Sequence, residues 1–234
     1  MQPRIYAHYR RNILLDSRIK AIIFDADGVL LDSMHIWQEL GARYLESLDI
    51  QPEKNLAEIL YPMSLEQSSL YLRDKYNLPF TVSEIKSGVL QIIENFYRYE
   101  VNLKPGVKKF LESHNIPKVI ATSGDRNLLT AALVRNEINN FFAKIFTCSE
   151  LNTDKHKPKI FMECAKFLNL EPAKIAVFED SLFALKTAKS AGFIIAGVED
   201  NSNLHKRMEI MKISDYYIQE GYIFHEDSFN NRRQ

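Results

Sequence analysis

Lys20-Ala21-Ile22-Ile23-Phe24-Asp25-Ala26-Asp27-Gly28-Val29-Leu30-Leu31-Asp32-Ser33 is the stretch whose reading decides the fold. Ala21 to Phe24 form a short apolar run that stops abruptly at two carboxylates. A run of that length followed by a glycine reads as a fully buried strand, because a helix needs a longer segment. Gly28 supplies a position where the chain can turn sharply without a Cβ clash. Asp25 and Asp27 therefore stand where the strand ends, which is where ligands bind in an open α/β sheet. Two acids so close repel one another unless a cation, such as a metal ion, lies between them. Taken alone, the stretch also fits a plain turn in which the Asp side chains cap backbone amides.

From Met34 to about Tyr99 the rhythm is helical. Ile36, Leu40, Tyr44 and Leu48 recur every four residues, with Trp37 and Leu45 widening the stripe. Pro62 breaks the run. Ser64 with Gln67, and Thr81 with Glu84, then have the spacing of capping boxes and open two further helices. This helical block sits directly after the first strand, and its aromatic stripe reads as its own core. Lys104-Pro105-Gly106 returns the chain to alternating strands (119–122, 145–148, 175–178, 193–196) and helices (107–113, 127–136, 160–168, 182–191), with Tyr216 to Ile218 as a last strand. Such alternation implies right-handed crossovers and a doubly wound parallel sheet.

Three more pieces carry polar groups, each at the end of a predicted strand or just before a helix. Val119 to Thr122 lead into Ser123-Gly124-Asp125, where a hydroxyl and backbone amides can bind a phosphate, or where Ser123 or Asp125 can cap a helix. Asp154-Lys155-His156-Lys157-Pro158-Lys159-Ile160-Phe161 is a lysine cluster that reads either as a solvated face or as the source of one fixed cation for phosphoryl oxygens. Ile175 to Phe178 end at Glu179-Asp180. Carboxylates from separate strand ends suit a hard divalent cation such as Mg²⁺, although paired acids can also complement a helix dipole.

Together, in this order, the four pieces resemble the motifs of the haloacid dehalogenase (HAD) superfamily. Residues 20–33 are similar to D-x-D-G-x-[LIV]-x-D-S, and 155–161 to K-x-x-P-x-I-F, which makes Lys155, not Lys157, the motif lysine. The similarity extends from residue 20 to about 200. The helical insert resembles the cap of the branch holding β-phosphoglucomutase-like and phosphoglycolate phosphatase-like proteins. His156, Lys159 and Ala184 depart from the usual Pro, Asp and Gly. The resemblance implies an α/β doubly wound, Rossmann-like core (20–33 and 104–234), an inserted α-helical cap (34–103) that closes by pivoting near Ser33–Met34 and Asn102–Pro105, and an N-terminal extension (1–19). It implies Asp25 as nucleophile, Asp27 as acid–base, and Thr122, Ser123 and Lys155 around the phosphate. Mg²⁺ is expected on Asp25, the Asp27 main-chain carbonyl and Asp180, with Glu179 acting through water.

The expected activity is that of a Mg²⁺-dependent phosphatase acting on a small phosphorylated metabolite through an aspartyl phosphate. Asp27 points to phosphate esters, because the family's dehalogenases lack a second Asp there. A sugar-phosphate mutase is the first alternative. Family mutases, however, place a His about five residues after the motif's D-[ST], where this chain has Trp37, and His35 is out of register. A non-catalytic binding protein on the same scaffold is the second. Selectivity is expected in the insert, around Trp37, Tyr61 to Ser64 and Tyr71.

Composition limits the remaining classes. Hydrophobic residues make up 46% and charged residues 26%, an ordinary globular mixture. Lys+Arg and Asp+Glu both number 30, so nothing suggests a long-range pull on nucleic acid. No apolar run approaches the ~20 residues of a membrane span. Cys148 and Cys164 lack a metal or disulfide pattern and suggest a reducing, cytoplasmic setting. The arginines of residues 1–19 faintly resemble a transit peptide, but the segment is poor in Ser and carries an apolar triplet, so a plain extension is expected. A monomer or weak homodimer is expected.

Overall fold

Strand β1 (Ala21–Phe24) is buried along its whole length in the computed structural model, which describes residues 17–219 and 222–226. Most of the N-terminal extension and the tail from Ser228 lie outside the described residues. Two parallel neighbours explain the burial of β1. Ile22 to Phe24 pair with β2 (Lys118–Thr122), and Ala21 to Phe24 pair with β4 (Ile175–Glu179). A strand covered on both faces and both edges has no polar side to show, which is why it reads as an unbroken apolar run.

The remaining strands are β3 (Lys144–Thr147), β5 (Ile194–Val198), β6 (Tyr216–Gln219) and β7 (Ile223–Glu226), in the order β3-β2-β1-β4-β5-β6-β7. Six of them run parallel, and β7 closes the edge antiparallel to β6. Helices α5 (Val107–Ser113), α6 (Arg126–Arg135), α7 (Lys159–Leu168), α8 (Leu182–Ser190) and α9 (Arg207–Ile213) connect them. The chain winds outward from β1 through β2 to β3, then returns across β1 to β4. The carboxyl ends of β1 and β4 thus form a topological switch point, where such sheets place their ligand crevice.

Alternate side chains of the strands serve the two faces. Ala21, Ile23, Val119 and Val177 pack with Ile160, Phe161 and Cys164 of α7 and Leu185 and Ala188 of α8. On the opposite face Phe24 meets Phe110, Phe142 and Phe178 with ring centroids 6.2, 5.9 and 4.9 Å apart. Helix α9 lies directly on β5, since a Cβ on Gly197 would come within 2.6 Å of Ile210 Cγ2 and Ser214 Oγ.

Neither α9 nor β7 is evident from the sequence alone. Only Ile210 of α9 is buried, so its apolar stripe is a single residue wide, and β7 is a strand of only four residues. Both follow from closing the sheet edge and not from a local pattern.

Residues 33–101 form a second compact unit, distinct from the one holding the sheet. It contains α1 (Ile36–Glu46), the short α2 (Leu56–Leu60), α3 (Leu65–Tyr76) and α4 (Val82–Asn95), followed by a π turn at Phe96–Glu100. Both capping boxes are present, with Ser64 accepting from Gln67 N–H and Thr81 from Glu84 N–H. Tyr44, Leu45, Leu72, Ile85 and Val89 form the unit's own core. Trp37 and Tyr61, at 52% and 85% exposure, are not part of it.

Where the chain leaves and rejoins the sheet unit, the two connections are tied together. Asp32 N–H donates to Asn102 O and Lys104 N–H to Leu30 O, both at 2.9 Å, and Leu31 bridges Leu103.

Candidate active site

The β1–β4 ladder continues one residue past its last strand pair, with Asp25 N–H donating to Phe178 O at 2.9 Å. That bond sets Asp25 beside the next two residues of the neighbouring strand end, Glu179 and Asp180. Oxygen atoms of Asp25, Glu179 and Asp180 lie within 4.8 Å of one another. Beyond Asp25 the chain turns back at once. Ala26 O accepts from both Leu30 and Leu31, Gly28 donates to Leu31 O, and Gly28 takes φ +72°, a conformation that favours glycine.

Lys155 is the buried member of its lysine cluster, whereas Lys157 and Lys159 are exposed. Its ammonium reaches Asp25 Oδ1 at 2.6 Å and Glu179 Oε2 at 2.8 Å. The reason is geometric. Asp154 Oδ1 accepts from His156 N–H at 2.8 Å and fixes a turn, while Ile160 and Phe161 bury the start of α7, so the loop aims this lysine inward. The His156 ring stacks on Phe183 at 4.2 Å outside the cluster.

Both oxygens of Glu179 are engaged. Its Oε2 is taken by Lys155 and its Oε1 accepts Ser181 N–H at 3.0 Å. Asp180 Oδ2 accepts from Asn203 Nδ2 at 2.7 Å. At the end of β2, Thr122 is buried and its Oγ1 accepts Gly124 N–H at 2.9 Å. A Cβ on Gly124 would stand 3.3 Å from both Asp27 Oδ2 and Thr122 Oγ1, so the Asp27 carboxylate borders the β2 end. The Asp27 side chain is outside the Asp25–Glu179–Asp180 group. Ser123 is exposed, 3.5 Å from Cys148 Sγ, and the cap of α6 is Asp125, which accepts from Asn127 and Leu128 N–H.

Electrostatics test whether a cation fits. Burial, then the neighbouring Glu179, pushes the Asp25 carboxyl up to about 8 despite Lys155. Burial, with Glu179 and Asp25, also holds Asp180 well above the usual carboxylate range. Burial alone would lower Lys155, but the two carboxylates outweigh it and raise it. One ammonium therefore leaves three clustered carboxyls short of positive charge. An all-oxygen donor set with that deficit fits a hard divalent cation.

Several residues with a structural part in the site carry no signal in the sequence. Asn203 lies in a 3₁₀ segment (Asn201–Lys206) and is read there as one more polar loop residue. Lys104 sits in a Lys-Pro-Gly turn, yet its ammonium is nearly buried. Tyr222 OH donates to Val29 O, which supports the loop after β1 from the far end of the chain.

The chain is similar in sequence and fold to known proteins. The chain is similar to a phosphorylated carbohydrates phosphatase of Thermotoga maritima, 26% identical over 177 residues that cover 74% of this chain and 82% of that protein. It is similar to the beta-phosphoglucomutase of Bacillus subtilis, 29% identical over 191 residues, covering 77% and 83% respectively. A crystal structure of a Thermotoga maritima protein provisionally assigned as a beta-phosphoglucomutase superposes with a TM-score of 0.76 at 25% identity, over 88% of this chain and 96% of that one. The model of the haloacid dehalogenase-like hydrolases matches residues 22–198, well over half of the 234 residues, and the chain belongs to that family.

Proposed function

We propose that this protein is a divalent-metal-dependent phosphatase that hydrolyses a small phosphorylated metabolite through a phosphoenzyme on Asp25. The observation that carries the reading is the Asp25 carboxylate, held at 2.6 Å by the buried Lys155 beside Glu179 and Asp180. A carboxylate fixed in rotation and flanked by positive charge can attack phosphorus without being repelled by the substrate's oxygens.

An Asp25 oxygen forms the new bond to phosphorus while the bond from phosphorus to the leaving oxygen breaks. Asp27 gives its proton to that oxygen, then takes one from the water that attacks the phosphoenzyme and frees phosphate. Lys155 uses two of its three donors on Asp25 and Glu179, and the third is available for a phosphoryl oxygen. Thr122 and Ser123 provide hydroxyls at the β2 end, and Glu179 serves chiefly as the anchor of Lys155. The Asp25 carboxylate, the Asp27 carbonyl and Asp180 would hold Mg²⁺, whose positive charge offsets the negative charge gathered at the reacting phosphoryl group. The helical unit is the cap of this reading.

Similarity to a beta-phosphoglucomutase favours one second reading, an intramolecular phosphoryl transfer. Against it stands Trp37 at the position where such mutases carry His. A phosphate-ester panel with Mg²⁺, run with and without EDTA, separates the two readings. Release of inorganic phosphate supports the phosphatase, and isomerised sugar phosphate without it supports the mutase. Asp25→Asn should abolish turnover with the fold intact, and full activity in that variant sinks the assignment.

A further inference from the structure

The Lys104 ammonium spends all three of its donors inside the protein. It donates to Gly28 O at 2.9 Å, Glu199 O at 2.7 Å and Asp200 Oδ2 at 2.7 Å. With no donor left and its side chain only 11% exposed, it is not a second phosphate ligand. What it joins is informative. Gly28 follows Asp27 in the loop after β1, and Glu199–Asp200 form the loop after β5.

The chain of bonds continues from Asp200 to the carboxylate cluster. Asp200 Oδ1 accepts from both N–H and Oγ of Ser202, at 2.9 and 2.7 Å, and Asp200 O accepts from Asn203 N–H at 3.0 Å. Asn203 Nδ2 then donates to Asp180 Oδ2 at 2.7 Å. A continuous polar relay thus runs from the carbonyl next to Asp27 to the carboxylate of Asp180. Through it, two ligand-bearing loops that do not adjoin in sequence are held in one arrangement.

We propose that Asn203 and Lys104 are positioning residues for the divalent-cation site: Asn203 sets the rotation of Asp180, and Lys104 fixes the Asp27–Gly28 loop against the segment that carries Asn203. The proposal rests on the metal-dependent phosphatase reading and names residues outside that reading's machinery. Groups that orient metal ligands typically contribute about 10–100-fold to affinity. Asn203 also withholds one lone pair of Asp180 Oδ2, so it restricts which oxygen faces the cation.

Mg²⁺ is titrated calorimetrically into metal-free wild type, Asn203→Ala and Lys104→Met, with Lys108→Ala, on an exposed pair with Glu137, as control. The expected result is a Kd for Mg²⁺ raised about 10–100-fold in the first two variants and unchanged in the control. Raising Mg²⁺ a hundredfold should then restore most of the lost kcat in Asn203→Ala, which a merely structural defect would not allow. Asn203→Ala decides the matter if Lys104→Met does not fold. Wild type that binds Mg²⁺ with Asn203→Ala inside twofold of it overturns this inference alone. Wild type that binds no Mg²⁺ overturns the metal-dependent reading and this inference together.

Discussion

Replacing Lys155 with Met should cost more stability than any single surface change, and the size of the loss follows from its surroundings. The Lys155 side chain is 4% exposed and its ammonium bridges Asp25 Oδ1 and Glu179 Oε2, the latter side chain 1% exposed. Met keeps the length and most of the apolar contact, so packing changes little and charge changes fully. Removing one partner of a buried pair leaves an uncompensated charge and typically costs about 3–5 kcal/mol. For a protein of this size, about 2–4 °C of Tm per kcal/mol puts the expected drop on the order of 6–20 °C. Urea unfolding of metal-free protein measures it, with Glu179→Gln and the double variant completing a cycle. The double variant should be more stable than the sum of the single losses predicts, because one of the two stranded carboxylates is then gone. Mg²⁺ should recover part of the loss in Lys155→Met by supplying the missing positive charge. A loss below about 1 kcal/mol, the range of exposed pairs, would refute the claim that this lysine offsets the cluster's charge.

Other outcomes follow from the same structure. Free Mg²⁺ at a hundred times its Kd should stabilise the native protein by about 2.7 kcal/mol, and EDTA should reverse the gain in a thermal scan. Gly197→Ala should destabilise by about 1–3 kcal/mol, read by urea unfolding, because the new methyl meets Ile210 and Ser214 at 2.6 Å. Burial would raise Asp200, but hydrogen bonds from Lys104 and Ser202 outweigh it and hold the carboxyl below its usual value. A depressed carboxyl stabilises above its unfolded value near 3.8 and loses that effect as pH falls through the folded value. Asp200→Asn should therefore be weaker than wild type at pH 7, by about 1.5–3 kcal/mol, with the gap closing below pH 3.8. Both cysteines are buried and unbridged, and burial raises the Cys164 thiol, so a thiol reagent should label native protein slowly and both sites after denaturation.

The core was legible because two signals coincide in β1. Four apolar residues stop at acids, and a strand paired on both edges cannot be amphipathic, so the local pattern already reports its central place. The same coincidence marks β4, whereas β2 stops at the hydroxyls of Thr122 and Ser123. Lys155 was separable from Lys157 and Lys159 only by the motif spacing to Pro158, since all three have the same intrinsic chemistry. Asn203 and Lys104 were illegible for a physical reason. The partners of their side chains are two backbone carbonyls and two carboxylates 23 to 96 positions away, and neither residue interrupts a hydrophobic period. Helix α9 escaped notice because one buried residue makes no stripe.

The paired connections at Asp32–Asn102 and Leu30–Lys104 carry an architectural consequence. An excursion of some seventy residues begins and ends within a hydrogen bond of itself, so the sheet sees its two ends as it would see a hairpin. Loop-closure entropy rises only as the logarithm of length, and each doubling costs about 0.6 kcal/mol. The doorway between β1 and α5 is therefore nearly indifferent to what is hung from it, and the helical block can be treated as a cassette, open to trimming, exchange or grafting while the catalytic scaffold stays as it is.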